Sequence, residues 1–410
     1  MPLADVAYFQ EGPGILAKDF RETGIPLLRL KGVEGDYVTL DGCNYLEPEM
    51  VARKWSHFRV EAGDLLISTS ASLGRVSVVT TDSAGGIPYT GLIRFKPKDE
   101  RLLAGYLKAF LGSSAFVEQA ESMASGSVIR HFGPSHIRQM AILLPPLDQQ
   151  SAIGQVASLL DERLRLLRQT NVTLESIAQA LFKSWFIDFD PVRAKAEGRE
   201  PEGMDAATAA LFPAEFEESA LGLIPKGWQI ASVAALASLR GGKQLDRGEF
   251  HEAAPNPIFG GAGEMGRTAL SNAEGFVLTV GRVGAYCGQF FWHEGAAWVN
   301  NNASHVRLHQ SQDGYWLHQA LLNSDIDKIK KGAAQPFVSN GDIENLPIIL
   351  PDAAARVAFR AVAEPLYKRQ TVLADTCKAL EELRDTLLPR LISGRLRLPE
   401  AQAQLEEAIA

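Results

Sequence analysis

The sequence predicts an α+β protein: two mixed α/β globules separated by a long antiparallel two-helix coiled coil, the whole a pseudo-two-fold tandem repeat. Three observations predict it. Segments of the two halves match in order, each half closes on a long heptad-spaced stretch, and short β-rich runs precede those stretches.

The repeat sets the frame. Gly126, Ile137 and Pro145 match Gly332, Ile343 and Pro351 at one offset of 206. Asp64-Leu65-Leu66-Ile67 and Gly74-Arg75-Val76 pair with Glu274-Gly275-Phe276-Val277 and Gly284-Ala285-Tyr286 at an offset of 210, and Gly105-Tyr106 parallels Gly314-Tyr315. Several matches in one order point to a duplication of about 200 residues. A chain of 410 residues has room for two to four domains.

After Pro145-Pro146, a seam runs through Ile153, Ala157, Leu160, Leu164, Leu167, Asn171, Leu174, Ala178, Leu181 and Trp185, in alternating steps of four and three. Its counterpart runs through Phe359, Ala363, Leu366, Gln370, Leu373, Cys377, Leu380, Arg384, Leu387 and Leu391, with Gly394 as a helix stop. Each stretch makes roughly 60 Å of helix. A narrow seam of that length fits one partner helix, and the other copy is the nearest candidate. Asn171 on the seam fixes register at some cost in stability. Leu166, Ile177, Phe182 and Phe186 lie off the seam and call for further partners. The second helix must return antiparallel, which puts the globules at opposite ends of a rod.

The expected divisions are a first globule at 1–146, a first helix at 147–186, a linker at 187–221, a second globule at 222–350, a second helix at 351–394 and a tail at 395–410. The linker is acidic (3 − 9 = −6) and rich in Ala, Glu, Gly and Pro, and it reads as exposed. Strands are expected at 63–69, 76–80, 276–280 and 305–308, with helices following at about 101–122 and 314–330.

The net charge is −8, most of it in the connector, so a local basic face on either globule is permitted. The N-terminus carries no secretory signal and no long apolar run is present, so a cytoplasmic location is expected, with no membrane partner. Cys43, Cys287 and Cys377 lie far apart and suggest neither zinc nor a disulfide framework.

Catalytic patterns are missing. Gly261-Ala262-Gly263-Glu264-Met265-Gly266 fits GxGxxG, but Pro255-Asn256-Pro257 precedes it and no convincing helix follows, so it reads as a turn-rich loop. Gly241-Gly242-Lys243 lacks the spacing of a phosphate loop, and no Asn-Pro-Pro-Tyr-like methyltransferase segment is present. His305 and His309 fall on an expected strand, which disfavours a metal pair, and Asp188 and Asp190 read as linker charges. No catalytic residue and no metal ligand is assigned. The chain looks like a binder.

Leu144-Pro145-Pro146-Leu147-Asp148-Gln149-Gln150, Ala180-Leu181-Phe182-Lys183-Ser184-Trp185-Phe186-Ile187-Asp188-Phe189-Asp190-Pro191, Leu223-Ile224-Pro225-Lys226-Gly227-Trp228 and Leu391-Ile392-Ser393-Gly394-Arg395-Leu396 resemble segments of the specificity (S) subunits of type I restriction–modification enzymes. The resemblance covers essentially the whole chain. It implies two target recognition domains, each reading one half of a split, asymmetric double-stranded DNA target. The paired helices act as a ruler for the spacer. Two methyltransferase (M) subunits dock on them, and restriction/translocase (R) subunits join. S-adenosylmethionine, ATP and magnesium belong to those partners, and no cofactor to this chain.

Base reading calls for Arg, Lys, Asn, Gln, Ser or Thr at a groove. Thr69, Ser70, Ser72 and Arg75 are favoured in the first globule, with Ser127, Arg130 and His131 after Gly126. In the second, the candidates are Arg282, Asn300, Asn301, Asn302, Lys330, Lys331 and Gln335. The bland alternative is that the asparagines cap turns. Other readings stay open: a specificity subunit of a related methyltransferase-linked system outside type I, a DNA enzyme with an unseen motif, or a coiled-coil scaffold without a DNA role.

Overall fold

The protein is described by a computed structural model covering residues 1–69, 75–123, 132–332 and 335–409. The chain divides into two compact units, Met1–Arg168 with Thr376–Ala410, and Gln169–Asp375.

In the first unit, β1 (Ala7–Glu11), β4 (Leu65–Ser68), β5 (Val76–Val78) and β7 (Leu92–Pro97) form an antiparallel sheet in the order β1-β7-β4-β5. A smaller sheet has β2 (Ile25–Leu28) between antiparallel β3 (Asn44–Leu46) and parallel β6 (Ile87–Pro88). Helices Ala104–Leu111 and Ser114–Met123 follow, as expected, and bury Tyr106, Phe110 and Phe116. The all-apolar run Leu65-Leu66-Ile67 is buried at every position, as a central strand covered on both faces requires.

The second unit repeats this plan. β11 (Ala237–Gly241), β14 (Phe276–Gly281), β15 (Phe290–Glu294) and β17 (Ala303–Leu308) are ordered β11-β17-β14-β15. Here β12 (Asn256–Gly260) lies between antiparallel β13 (Gly263–Thr268) and parallel β16 (Trp298–Val299). Helix Gly314–Leu322 follows. The duplication is thus carried by the fold itself. The strand pairing also corrects the alignment at 210. Ser68 faces Leu92 as Gly281 faces Ala303, and Gly12 and Gly242 donate to the carbonyls of those same two partners, so β4 and β14 correspond at an offset of 213. The stretch 261–266 is a two-residue turn at Gly261-Ala262 opening into β13.

The expected seams form two uninterrupted helices, Leu147–Phe186 and Ala353–Ile392. In the first unit, Arg168 pairs with Glu381 and Asp161 lies 3.8 Å from Arg384. In the second, Asn171 Nδ2 donates to the Gln370 carbonyl (3.3 Å) and the Phe182 ring packs on Phe359 (5.6 Å). One number rises as the other falls, so the pairing is antiparallel in each unit. The seam positions Ile153, Ala157, Leu160, Leu164, Leu373, Leu380 and Leu387 are buried, while Asn171 and Gln370 are half-buried.

The connector differs from the exposed linker expected. It contains helices Asp190–Ala196 and Ala206–Ala210 and the strand β8 (Phe216–Ser219), which pairs with β9 (Gly222–Pro225) just beyond it. Phe189, Val192 and Phe212 are buried in the second unit's core with Trp185, Phe186 and Trp228. Phe189 adopts a left-handed backbone (φ 57°), which turns the chain back so that its ring meets Trp228 edge-on at 5.7 Å. These aromatics outweigh the linker-like composition because each large ring removes about 150–250 Å² from water. Phe182 and Phe186, expected to want outside partners, are buried in the same core, whereas Leu166 and Ile177 remain exposed.

Candidate nucleic-acid interface

In the second unit β11 and β14 end, and β17 begins, at one end of the central sheet, with Gly241 opposite Ser304 and Gly281 opposite Ala303. Backbones meet there without room for side chains. A Cβ on Gly242 would lie 2.1 Å from the Asn300 carbonyl oxygen, and one on Gly281 2.3 Å from that of Gly261. Gly242 N–H donates to Ala303 O (3.0 Å) and Lys243 N–H to Val299 O (2.9 Å), while Trp298 Nε1 donates back to Lys243 O (2.9 Å).

Four of the expected residues converge on this rim. Arg282 Nη2 donates to the Asn301 carbonyl (2.8 Å), and its buried Nε finds no partner. Asn301 and Asn302 are exposed at the tip of the turn. Asn300 is buried and shapes that turn, its Oδ1 accepting from Asn301 N–H (2.7 Å) and its Nδ2 meeting Met265 Sδ (3.6 Å). Residues 335–338 join the same rim: Val338 N–H donates to Arg282 O (3.0 Å) and Gly284 N–H to Pro336 O (2.9 Å). Gln335 is exposed there, and exposed Lys331, whose N–H donates to Phe337 O (2.9 Å), is held on Asp342 at 2.7 Å. Its ammonium pulls the Asp342 carboxyl down to about 2, with Ser339 assisting. Lys330 is paired with Asp327 (2.7 Å), which raises its pKa. Burial pushes His305, on β17, down to about 4, so its ring is neutral near pH 7.

In the first unit, Ser70, Ser72, Ser127, Arg130 and His131 lie outside the described residues. Thr69 is buried at the end of β4, its N–H donating to Gly91 O (2.9 Å). Arg75 is exposed and lines a cleft of about 560 Å³ with Glu34, Asp36, Lys108, Asp161 and Arg384. There Lys108 pairs with Asp161 at 2.6 Å. Arg75 leads into β5 at the same sheet end that Thr69 marks, since Val76 faces Ile67 of β4, and its side chain lies in that cleft.

Sequence reasoning passed over Lys243 and the glycines Gly242 and Gly261. They had been weighed only as phosphate-loop and dinucleotide motifs. For Gly242 the available signal was recurrence: Gly12 holds its place, its N–H on Leu92 O (2.9 Å) and its Cβ direction blocked 2.2 Å away by the Pro88 carbonyl. Among the described residues, no group of three or more His, Cys, Asp or Glu could hold a metal, and no helix is long and apolar enough to cross a membrane.

Residues 1–176 match the family model of the type I restriction modification DNA specificity domain. The type I restriction enzyme MjaIX specificity subunit of Methanocaldococcus jannaschii is 23% identical over 378 residues, covering 82% of this chain and 78% of its own length. The HindI specificity subunit of Haemophilus influenzae is 24% identical over 407 residues, covering 82% and 87%. The crystal structure of a type I restriction–modification S subunit from M. genitalium matches with a TM-score of 0.56 at 16% identity, over 96% of this chain and 95% of that one, which shows a shared fold. With the duplicated sheet and paired long helices, these matches make the chain similar to type I restriction–modification specificity subunits along most of its length, with the specificity-domain model itself matching residues 1–176.

Proposed function

We propose that the chain is the DNA-reading, non-catalytic subunit of a type I restriction–modification complex, each globule addressing one half of a bipartite, asymmetric double-stranded target. The observation that carries this is the sheet end built twice. Both copies close on a glycine whose side-chain space is taken by a neighbouring carbonyl, and both present polar turns beside it. Backbone N–H groups and the Arg, Lys and Asn side chains of such a rim suit phosphates and base edges. The expected contact residues Thr69, Ser70, Ser72, Arg75, Ser127, Arg130, His131, Arg282, Asn300, Asn301, Asn302, Lys330, Lys331 and Gln335 are the set this reading puts against DNA.

On the same reading the paired helices set the unread spacer and dock two methyltransferase subunits, with restriction/translocase subunits joining them. S-adenosylmethionine, ATP and magnesium act on those partners, in the cytoplasm. The test is the genome-wide adenine methylation motif of cells expressing the chain with its M subunits. A bipartite motif that disappears when the chain is deleted supports the reading. Methylation that does not depend on the chain, or a gel shift insensitive to sequence, defeats it.

A further inference from the structure

The repeat equates positions in the two units that the sequence does not align. Gly12 N–H bonds Leu92 O as Gly242 N–H bonds Ala303 O. Tyr89 N–H bonds Leu28 O (3.0 Å) as Asn300 N–H bonds Phe259 O (2.8 Å). Turn Tyr89-Thr90-Gly91 therefore stands where Asn300-Asn301-Asn302 stands, Thr69 where Arg282 stands, and Arg29 where Gly260 stands. In the second unit the rim's arginine comes from the end of β14, and the end of β12 is a bare glycine. In the first unit the end of β4 carries buried Thr69, and the arginine comes from the end of β2.

We infer that Arg29 is the base-reading arginine of the first unit, aimed at a guanine. Its guanidinium carbon lies 4.3 Å from the Tyr89 ring centroid and 5.6 Å from that of Phe20. Its Nη1 donates to Asn44 Oδ1 (3.1 Å). Among the described residues no carboxylate is paired with it, whereas Arg21, Arg94 and Arg101 of the same globule are held on Glu47, Asp64 and Asp99. A half-buried guanidinium held over an aromatic ring and tethered through one nitrogen keeps further N–H donors for the bidentate pairing that guanine O6 and N7 need. Holding it in place beforehand lowers the ordering cost of binding.

The inference rests on the proposed DNA-reading function, and its test separates the two. The full chain, assembled with its M subunits, is compared as wild type, Arg29→Ala, Arg29→Lys and Arg282→Ala by gel shift on cognate DNA, on DNA substituted at each guanine of one half, and on unrelated DNA. Arg29→Ala weakens cognate binding about tenfold to a hundredfold, makes binding indifferent to one guanine of one half, and leaves the salt slope and unrelated DNA unchanged. Arg29→Lys keeps the charge over the ring and the fold but still loses that discrimination, because an ammonium lacks the planar fork. A uniform loss on all sequences with a slope lowered by about 1 overturns base reading. Unchanged binding for Arg29→Ala beside a weakened Arg282→Ala removes Arg29 while the function stands. Unchanged binding for both defeats the function itself.

Discussion

Gln150 and Arg356, 206 residues apart, do the same work in the two repeats. Each sits in the first turn of a 40-residue helix and donates to the carbonyl of the proline five residues earlier, Gln150 Nε2 to Pro145 O (3.0 Å) and Arg356 Nη1 to Pro351 O (2.6 Å). Each also ties that helix to its globule. Gln150 accepts from Leu103 N–H (3.0 Å) and donates to Arg101 O (2.9 Å), while Arg356 Nε meets Asp313 at 2.8 Å. The second copy has a buried ion pair where the first has an amide. Arg356→Ala leaves Asp313 buried without its counter-ion and costs about 3–5 kcal/mol, whereas Gln150→Ala costs about 1–3 kcal/mol. Denaturant midpoints of the two variants give this ordering, and equal losses would contradict it.

Arg282 and Arg75 differ in setting and should differ in effect. Arg282 is built into the rim through the Asn301 carbonyl, so Arg282→Ala costs about 1–3 kcal/mol on cognate DNA only. Arg75 is exposed in a cleft that mixes carboxylates and basic side chains, a setting that suits a phosphate contact, so Arg75→Ala lowers affinity for all sequences and the salt slope by about 1. Salt titrations of both variants decide, and unchanged affinity in both removes these loops from the interface.

The rim glycines make a sharper test. Gly242→Ala and Gly12→Ala each drive a methyl group into a backbone carbonyl, whereas Gly241→Ala and Gly14→Ala meet nothing within 4 Å. The first pair displaces turns 299–301 and 88–90 and weakens DNA binding, while the second pair leaves it intact. Gel shifts with circular dichroism as a fold check read the contrast.

One buried and one half-buried histidine, His318 and His305, set an acid limit. Burial lowers His318 to about 3 and His305 to about 4, below the ordinary 6.5. Gln319 Nε2 donates to the Tyr367 hydroxyl (2.8 Å), and that hydroxyl donates to His318 Nδ1 (2.7 Å), an arrangement that fits the neutral ring. The native state therefore binds fewer protons than the unfolded chain between the two pKa values. The stability from these groups is complete above about pH 6.5 and is lost as pH falls toward 4. Melting temperature followed from pH 7 to 4 falls in wild type and falls less in His305→Asn. Equal slopes would exclude His305 from the effect.

The folded connector redraws the exchangeable module. Replacing 222–350 alone with the equivalent of another S subunit separates Trp228 from Phe212 and Phe186, rings 6.2 and 5.9 Å away, and exposes a large apolar core. An exchange that begins at 185 keeps those three rings together. It should yield a soluble chimera whose methylation motif changes in one half only, with the spacer retained. A motif altered in both halves would refute independent reading.

The seams were legible because a heptad is a property of spacing alone, and the duplicated ends were legible because Pro145 and Pro351 kept one offset. The rest was hidden for local reasons. Loop length differs between the copies, so the equivalence of residues slides from 206 at the helices to 213 at β4 and β14, and any single-offset comparison slips. Phe189 and Phe212 follow no period and sit among Glu, Ala and Pro, which read as solvent-facing. Arg29 and Lys243 flank strand ends whose meeting depends on which strand pairs with which, a fact no short window contains.

The side-chain-free rim bears on how such a protein changes its target over generations. Gly12 and Gly242 hold the same backbone frame, while the turn beside each and the strand end that carries the arginine, β2 in one half and β14 in the other, differ. After the ancestral gene doubled, the two halves could therefore drift apart by single substitutions at a few turn positions. The scaffold tolerates such relocation because no core residue has to move with it.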